Sequence, residues 1–246
     1  MSPKLITVIA GVGAGTGAAV ARRFAAKYPV VLLARKPENY QPLVDEINGA
    51  GGKAIGFSAD VGDAASIKNA FAKIEEEFGN DVAAAAAVFN ASGGFVRKPF
   101  LELSEQEFIS SVNTSIHGGF YFSQASLPLL LRGVSSSEHA PSLIFTGATA
   151  SVKSNAGVSG FATGKFGLRA LSSSLAKEFG PKGVHVAHAI IDGVIDIPRT
   201  KEWMKDAGPD AKIGADAIAD AYWHLHTQPK SAFTWEIDIR PFVEKW

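Results

Sequence analysis

Seven short runs of β-forming residues, at Leu5–Ala10, Val30–Ala34, 53–59, 82–90, Ser142–Thr146, His185–Ile191 and 233–239, alternate with stretches of helical apolar spacing. Ala18, Val20, Ala21, Phe24 and Ala25 show that spacing, as do Ala64, Ile67, Ala70, Phe71 and Ile74. Strand, helix, strand, repeated along a chain, brings successive strands side by side in parallel. Val30-Val31-Leu32-Leu33 is apolar at every position rather than at every second one, so helices must cover both faces of the sheet. The predicted fold is α/β and doubly wound, with a seven-stranded, mostly parallel sheet. Ser104-Glu-Gln-Glu107 is a capping box that opens a long helix running towards Arg132, and 133–140 reads as a polar loop. No repeat or linker divides 1–246, which is expected to form one domain.

Composition narrows the partners. The 24 basic and 24 acidic side chains cancel, so neither nucleic acid nor an anionic membrane surface is an expected partner. Without cysteine there is no disulfide, thiolate nucleophile or thiolate metal site. The longest apolar stretches, 5–13 and 82–89, fall short of the roughly 20 residues a membrane helix needs. The first of them runs into glycines and then Arg22 and Arg23, as a strand entering a turn does and a signal peptide does not. No address tag or lipid-acceptor cysteine stands at the C-terminus, and the cytoplasm is the expected compartment.

After the first run comes Ala10-Gly11-Val-Gly13-Ala-Gly15-Thr16-Gly17, at the start of a helical segment. Such glycines let backbone N–H groups and the positive end of the helix meet a pyrophosphate. A tight turn without a ligand competes with that reading, less well for four glycines than for two. At the end of the second run, where a carboxylate would hold the ribose hydroxyls of NAD, stand Ala34, Arg35 and Lys36. A guanidinium matches a phosphate, so the residues favour NADP(H), against the alternative of a solvated basic pair.

Asp60-Val61 follows the third run, Asn90-Ala91-Ser92-Gly93 the fourth and Asp192-Gly193-Val194-Ile195 the sixth. In these segments, their order and their places, nearly the whole chain resembles the short-chain dehydrogenase/reductase family, whose loop pattern T-G-x-x-x-G-x-G is matched except at Ala10. The resemblance implies a Rossmann fold holding NADP(H). Gly11, Gly15, Thr16 and Gly17 would take the pyrophosphate, and Asp60 and Val61 the adenine. Asn90 would back the cofactor, and the backbone of Val194 and Ile195 would hold the carboxamide. Family members are commonly dimers or tetramers, so a homodimer or homotetramer is implied, and the final run at a sheet edge suits pairing across a subunit contact.

The family's proton relay reads S-x12-Y-x3-K, with a helix asparagine behind the lysine. Here Lys165 is present, the tyrosine is Phe161, the serine is Ala148 and the asparagine position is Ser115, with Asn113 two residues earlier as the alternative. A ketone reduced without a donor leaves as a strongly basic alkoxide, so the expected substrate is a small molecule with an imine, an iminium or an activated C=C bond. The contrasting expectation is a non-redox protein that keeps NADP(H) as a structural or sensed ligand. Thr149 is the candidate substitute donor, unless it merely ends a strand. Asp192 is the candidate partner of a cationic substrate, and Asp196 follows it in the turn; the alternative is that both cap the next segment or pair with Arg199. A substrate lid is expected at about 196–213, where Trp203 and Met204 either line an apolar pocket or pack as an amphipathic helix. His117 is expected to be buried and hydrogen-bonded. His224 and His226 lie on different helix faces, and no metal site is expected.

Overall fold

The computed structural model describes residues 4–245. Nine strands are described, β1 (Leu5–Ala10), β2 (Val30–Ala34), β3 (Ala54–Ser58), β4 (Ala83–Phe89), β5 (Ser142–Thr146), β6 (His185–Ile191), β7 (Ile195–Asp196), β8 (Ile213–Gly214) and β9 (Glu236–Ile239). Between them lie α1 (Thr16–Ala25), α2 (Gln41–Gly49), α3 (Ala64–Phe78), α4 (Glu105–Val112), α5 (Gly118–Gly133), α6 (Ser159–Phe179) and α7 (Ala215–His226).

Seven strands form one sheet in the order β3-β2-β1-β4-β5-β6-β9, and every neighbouring pair is parallel. Alternation along β1 shows why its run is apolar throughout. Ile9 packs on one side with Phe24, Leu43 and Tyr222, while Ile6 and Val8 pack on the other with Ile74, Phe122 and Leu130. Two apolar layers therefore cover the sheet, one under α1, α2 and α7, the other under α3, α5 and α6.

The chain leaves β1 towards β2 on one side and returns to β4 on the other. That reversal opens a crevice beyond the C-terminal ends of β1 and β4, where this architecture receives ligands. Among the described residues β9 pairs only with β6 and forms the far edge.

Two details depart from expectation. The capping box is present, with Ser104 N donating to Glu107 Oε2 at 3.0 Å and Glu107 N to Ser104 Oγ at 3.3 Å. The helix it opens runs on to Gly133 as expected, but through a π-turn at Asn113–His117 that joins α4 to α5. There the backbone packs closely on its neighbours: a Cβ on Gly118 would come within 3.0 Å of Val61, and one on Gly164 of α6 within 3.1 Å of Ser115. The second departure is the small parallel pair β7–β8, which closes the neck of the segment between β6 and α7. Among the described residues, no helix is long and apolar enough to cross a membrane.

Candidate active site

The glycine loop is clamped between β1 and β4. Gly11 has φ +89°, and a Cβ there would sit 2.3 Å from the backbone nitrogen of Ala91. Asn90 Nδ2 donates to Gly11 O at 2.8 Å, and a Cβ on Gly17 would lie 2.6 Å from that same carbonyl. Gly13 faces open space, whereas Gly15 is met by the side chain of Ile197. α1 begins with no side-chain cap and no acidic residue in its first turn, so its N–H groups stay available to an anion. Thr16 adds a buried hydroxyl with no hydrogen-bond partner among the described residues. This donor set fits a pyrophosphate.

Arg35 and Lys36 are exposed just past β2 and carry no ion pair among the described residues, whereas Arg22 pairs with Glu46 and Arg23 with Asp220. Asp60 builds its own turn by accepting from Gly62 N at 3.0 Å, and Val61 is buried beside it.

Lys165, on α6, reaches the end of β5. It is 2% exposed, and its Nζ donates to Thr146 O at 2.8 Å. Burial pushes its pKa down to about 8. One turn earlier on α6, the Phe161 ring meets Phe95 edge-on at 5.2 Å, with Lys165 Nζ 5.8 Å from its centroid. Phe161 and Ala148 pack together against Ala150, Val158 and Ala162. A small apolar cluster thus stands where the two hydroxyls of the relay were sought. Ser115 is fully buried against Gly164 with an unpartnered Oγ, while Asn113 lies towards Gly62. Ser115, not Asn113, faces α6.

Asp192, just past β6, is 8% exposed. Thr149 Oγ1 donates to its Oδ1, and Arg240 Nη2 lies 3.1 Å from its Oδ2. Pairing with Arg199 was one of the alternatives for this carboxylate; the arginine found is Arg240, because β6 and β9 run in register and the residues following them come face to face. Asp196 pairs instead with Lys212 at 3.5 Å. Lys212 also donates to the carbonyls of Thr200 at 2.7 Å and Lys201 at 3.1 Å, fastening the neck that β7 and β8 begin. Val194 and Ile195 lead from Asp192 into that neck, and Ile213 N donates to Val194 O. Trp203 and Met204 lie beyond it on turns, half exposed rather than on a packed helix.

The sequence did not mark His188. It is fully buried, with Nδ1 3.0 Å from Glu236 Oε2, and Arg169 holds Glu236 through two hydrogen bonds. Its Nε2 points at Gly147, where a Cβ would come within 2.4 Å. Burial pushes its pKa down to about 4. His117 corrects an expectation: it is exposed on the outer side of the π-turn beside Tyr121, because the buried face of that turn is taken by Ser115. His224 is exposed, while His226 is buried between Tyr28 and Ser142.

The family model for short chain dehydrogenases matches residues 5–208. The chain belongs to the short-chain dehydrogenase family. Among relatives of this short-chain dehydrogenase, the short-chain reductase protein NovJ of Streptomyces niveus is 30% identical over 245 residues, 98% of this chain and 89% of that one. A short-chain dehydrogenase from Rhodopseudomonas palustris shares 34% identity with a TM-score of 0.77, over 96% of this chain and 99% of that chain. The alcohol dehydrogenase of Thermococcus sibiricus, solved with 5-hydroxy-NADP, shares 25% identity with a TM-score of 0.82, over 98% of both chains. The Rossmann fold and the oxidoreductase class of the family follow.

Proposed function

We propose that this oxidoreductase uses NADPH to reduce a small molecule at an imine, an iminium or an activated C=C bond rather than at a plain ketone. The observation that carries the reading is the apolar cluster of Phe161 and Ala148 beside the buried Lys165. When bound, the reduced nicotinamide supplies a hydride. The chain's own residues then have two tasks. Gly11, Gly15, Thr16 and Gly17 would hold the pyrophosphate, Arg35 and Lys36 the 2′-phosphate, and Asp60 and Val61 the adenine. Asn90 would support the loop, Lys165 the nicotinamide ribose, and the backbone of Val194 and Ile195 the carboxamide. The second task is to favour an acceptor that needs no proton from a side chain at the moment of reduction. An iminium becomes a neutral amine on taking hydride, whereas a ketone becomes an alkoxide. The segment beyond the neck would cover the substrate as a lid, and the open edge of β9 suits pairing in a homodimer or homotetramer.

A second reading, a non-redox protein that holds NADP(H) as a structural or sensed ligand, is favoured by one observation: Asp192 and Thr149 are already engaged within the protein. NADPH consumption measured against ketones, imines and enones separates the two. We expect turnover of imines or enones and little of ketones; NADPH binding with no turnover of any acceptor would favour the second reading. In the same assay Arg35→Ser is expected to weaken NADPH binding about tenfold or more while leaving NADH binding nearly unchanged. An unchanged preference would remove Arg35 from the phosphate site.

Lys165 gives the reading a pH dependence. Because its pKa is held at about 8, raising the pH through that value removes the ammonium that would meet the ribose. NADPH affinity, followed by nicotinamide fluorescence from pH 6 to 10, is expected to fall on the alkaline side, and Lys165→Met should flatten that limb.

A further inference from the structure

We infer that Thr149 is a hydrogen-bond acceptor for the substrate, and that the substrate class is a protonated imine carrying an N–H at the reacting nitrogen. The inference deepens the imine reading above and rests on it. It follows from the direction of one hydrogen bond. An ionised carboxylate only accepts, and Asp192 is ion-paired with Arg240, so the proton between Asp192 and Thr149 belongs to the threonine. A hydroxyl has one proton and two lone pairs. With that proton committed to Asp192, Thr149 offers any further partner only lone pairs.

The neighbours do not reverse this polarity. Ala148 and Phe161 contribute no polar side-chain atom. Ser151, on the same turn, is fully buried and accepts from Ala148 N at 3.1 Å. The Phe161 ring already has the Lys165 ammonium 5.8 Å from its centroid, so Phe95, edge-on to it, is the ring left to face a further cation. Arg240 is shared between Asp192 and Asp238, and the Lys165 ammonium stands beside Phe161, so the two carboxylates face two cations and discrimination rests on the lone pairs of Thr149 more than on net charge.

A protonated imine satisfies this arrangement, and its reduction balances without a proton. NADPH is the reductant, its hydride forms the new C–H bond, and the C=N π pair becomes the lone pair of a neutral amine that still carries its N–H. An N,N-disubstituted iminium has no hydrogen to give Thr149. An enone reduced at carbon gathers negative charge on oxygen, which those lone pairs repel.

The test separates binding from turnover. Calorimetry on the enzyme saturated with NADP+ compares pyrrolidinium, which has N–H groups, with N,N-dimethylpyrrolidinium, which has none. We expect pyrrolidinium to bind at least about tenfold more tightly. Thr149→Val should erase the difference and Thr149→Ser restore it, with thermal melts confirming that both variants fold. Equal affinities in the wild-type enzyme, no binding of either cation, or a preference that survives Thr149→Val would each overturn the inference. Turnover is read separately, with 1-pyrroline expected to outpace N-methylpyrrolinium. If neither is reduced, the imine reading of the activity falls while the binding comparison still decides the polarity of Thr149.

Discussion

Combining Phe161→Tyr with Ala148→Ser is expected to raise kcat/KM for a simple ketone by about a hundredfold or more, within the usual contribution of a positioned general acid. The geometry for this gain is largely in place. Phe161 is held by its edge contact with Phe95, and Lys165 Nζ lies 5.8 Å from its ring centroid, so a phenol added there would sit in the field of an ammonium that lowers its pKa. Ala148 packs in the same cluster and begins the turn that carries Thr149, which puts a serine hydroxyl on the same side. Phe161→Tyr alone should give a smaller gain. NADPH oxidation with a ketone panel measures both, and a folded, NADPH-binding double variant with no gain would show that the missing hydroxyls are not what excludes ketones.

The largest stability effect is expected at Gly11. Gly11→Val combines an unfavourable backbone conformation at φ +89° with a Cβ only 2.3, 2.5 and 2.7 Å from backbone atoms of Ala91 and Asn90. Main chain is the obstacle, and it cannot withdraw without disturbing the hydrogen bond from Asn90 N to Ala10 O at 2.8 Å. A cost of at least about 3 kcal/mol is expected. For a chain of this size that corresponds to a fall in Tm of roughly 6–12 °C, together with loss of NADPH binding. Gly13→Ala, facing open space in the same loop, should leave Tm nearly unchanged. A Gly11→Val protein that melts with the wild type would mean the loop is not clamped as described.

The five inner strands of the main sheet were legible in the sequence because burial on both faces leaves nearly continuous apolar runs, as in Val30-Val31-Leu32-Leu33, while the half-exposed edge strands β3 and β9 showed only as short β-forming runs. β7 and β8 were not legible, since two residues are too few to show a period. The π-turn was hidden for a different reason: 113–117 carries the same residue types as the helices on either side, and only packing against Val61 and Gly164 distinguishes it. Within the site, the residues legible in the sequence were those fixed by local spacing, such as Gly11, Asn90 and Lys165. Arg240 reaches Asp192 across the β6–β9 pair, Glu236 reaches His188 across the same pair, and Ile197 reaches Gly15 from the neck. Each is a meeting of distant segments, and no spacing rule announces it.

The fastening at Lys212 has a practical meaning. Because Asp196, Thr200 and Lys201 are tied to it and Ile195 is paired with Ile213, the stretch 201–211 is bounded at both ends by fixed points, while Ile197 on the inner side belongs to the glycine loop's surroundings. On the lid role proposed above, that stretch is an interchangeable cassette: transplanting it between relatives is expected to alter which molecules are admitted while leaving the glycine loop as it was, which makes it the natural starting place for redirecting the enzyme by design.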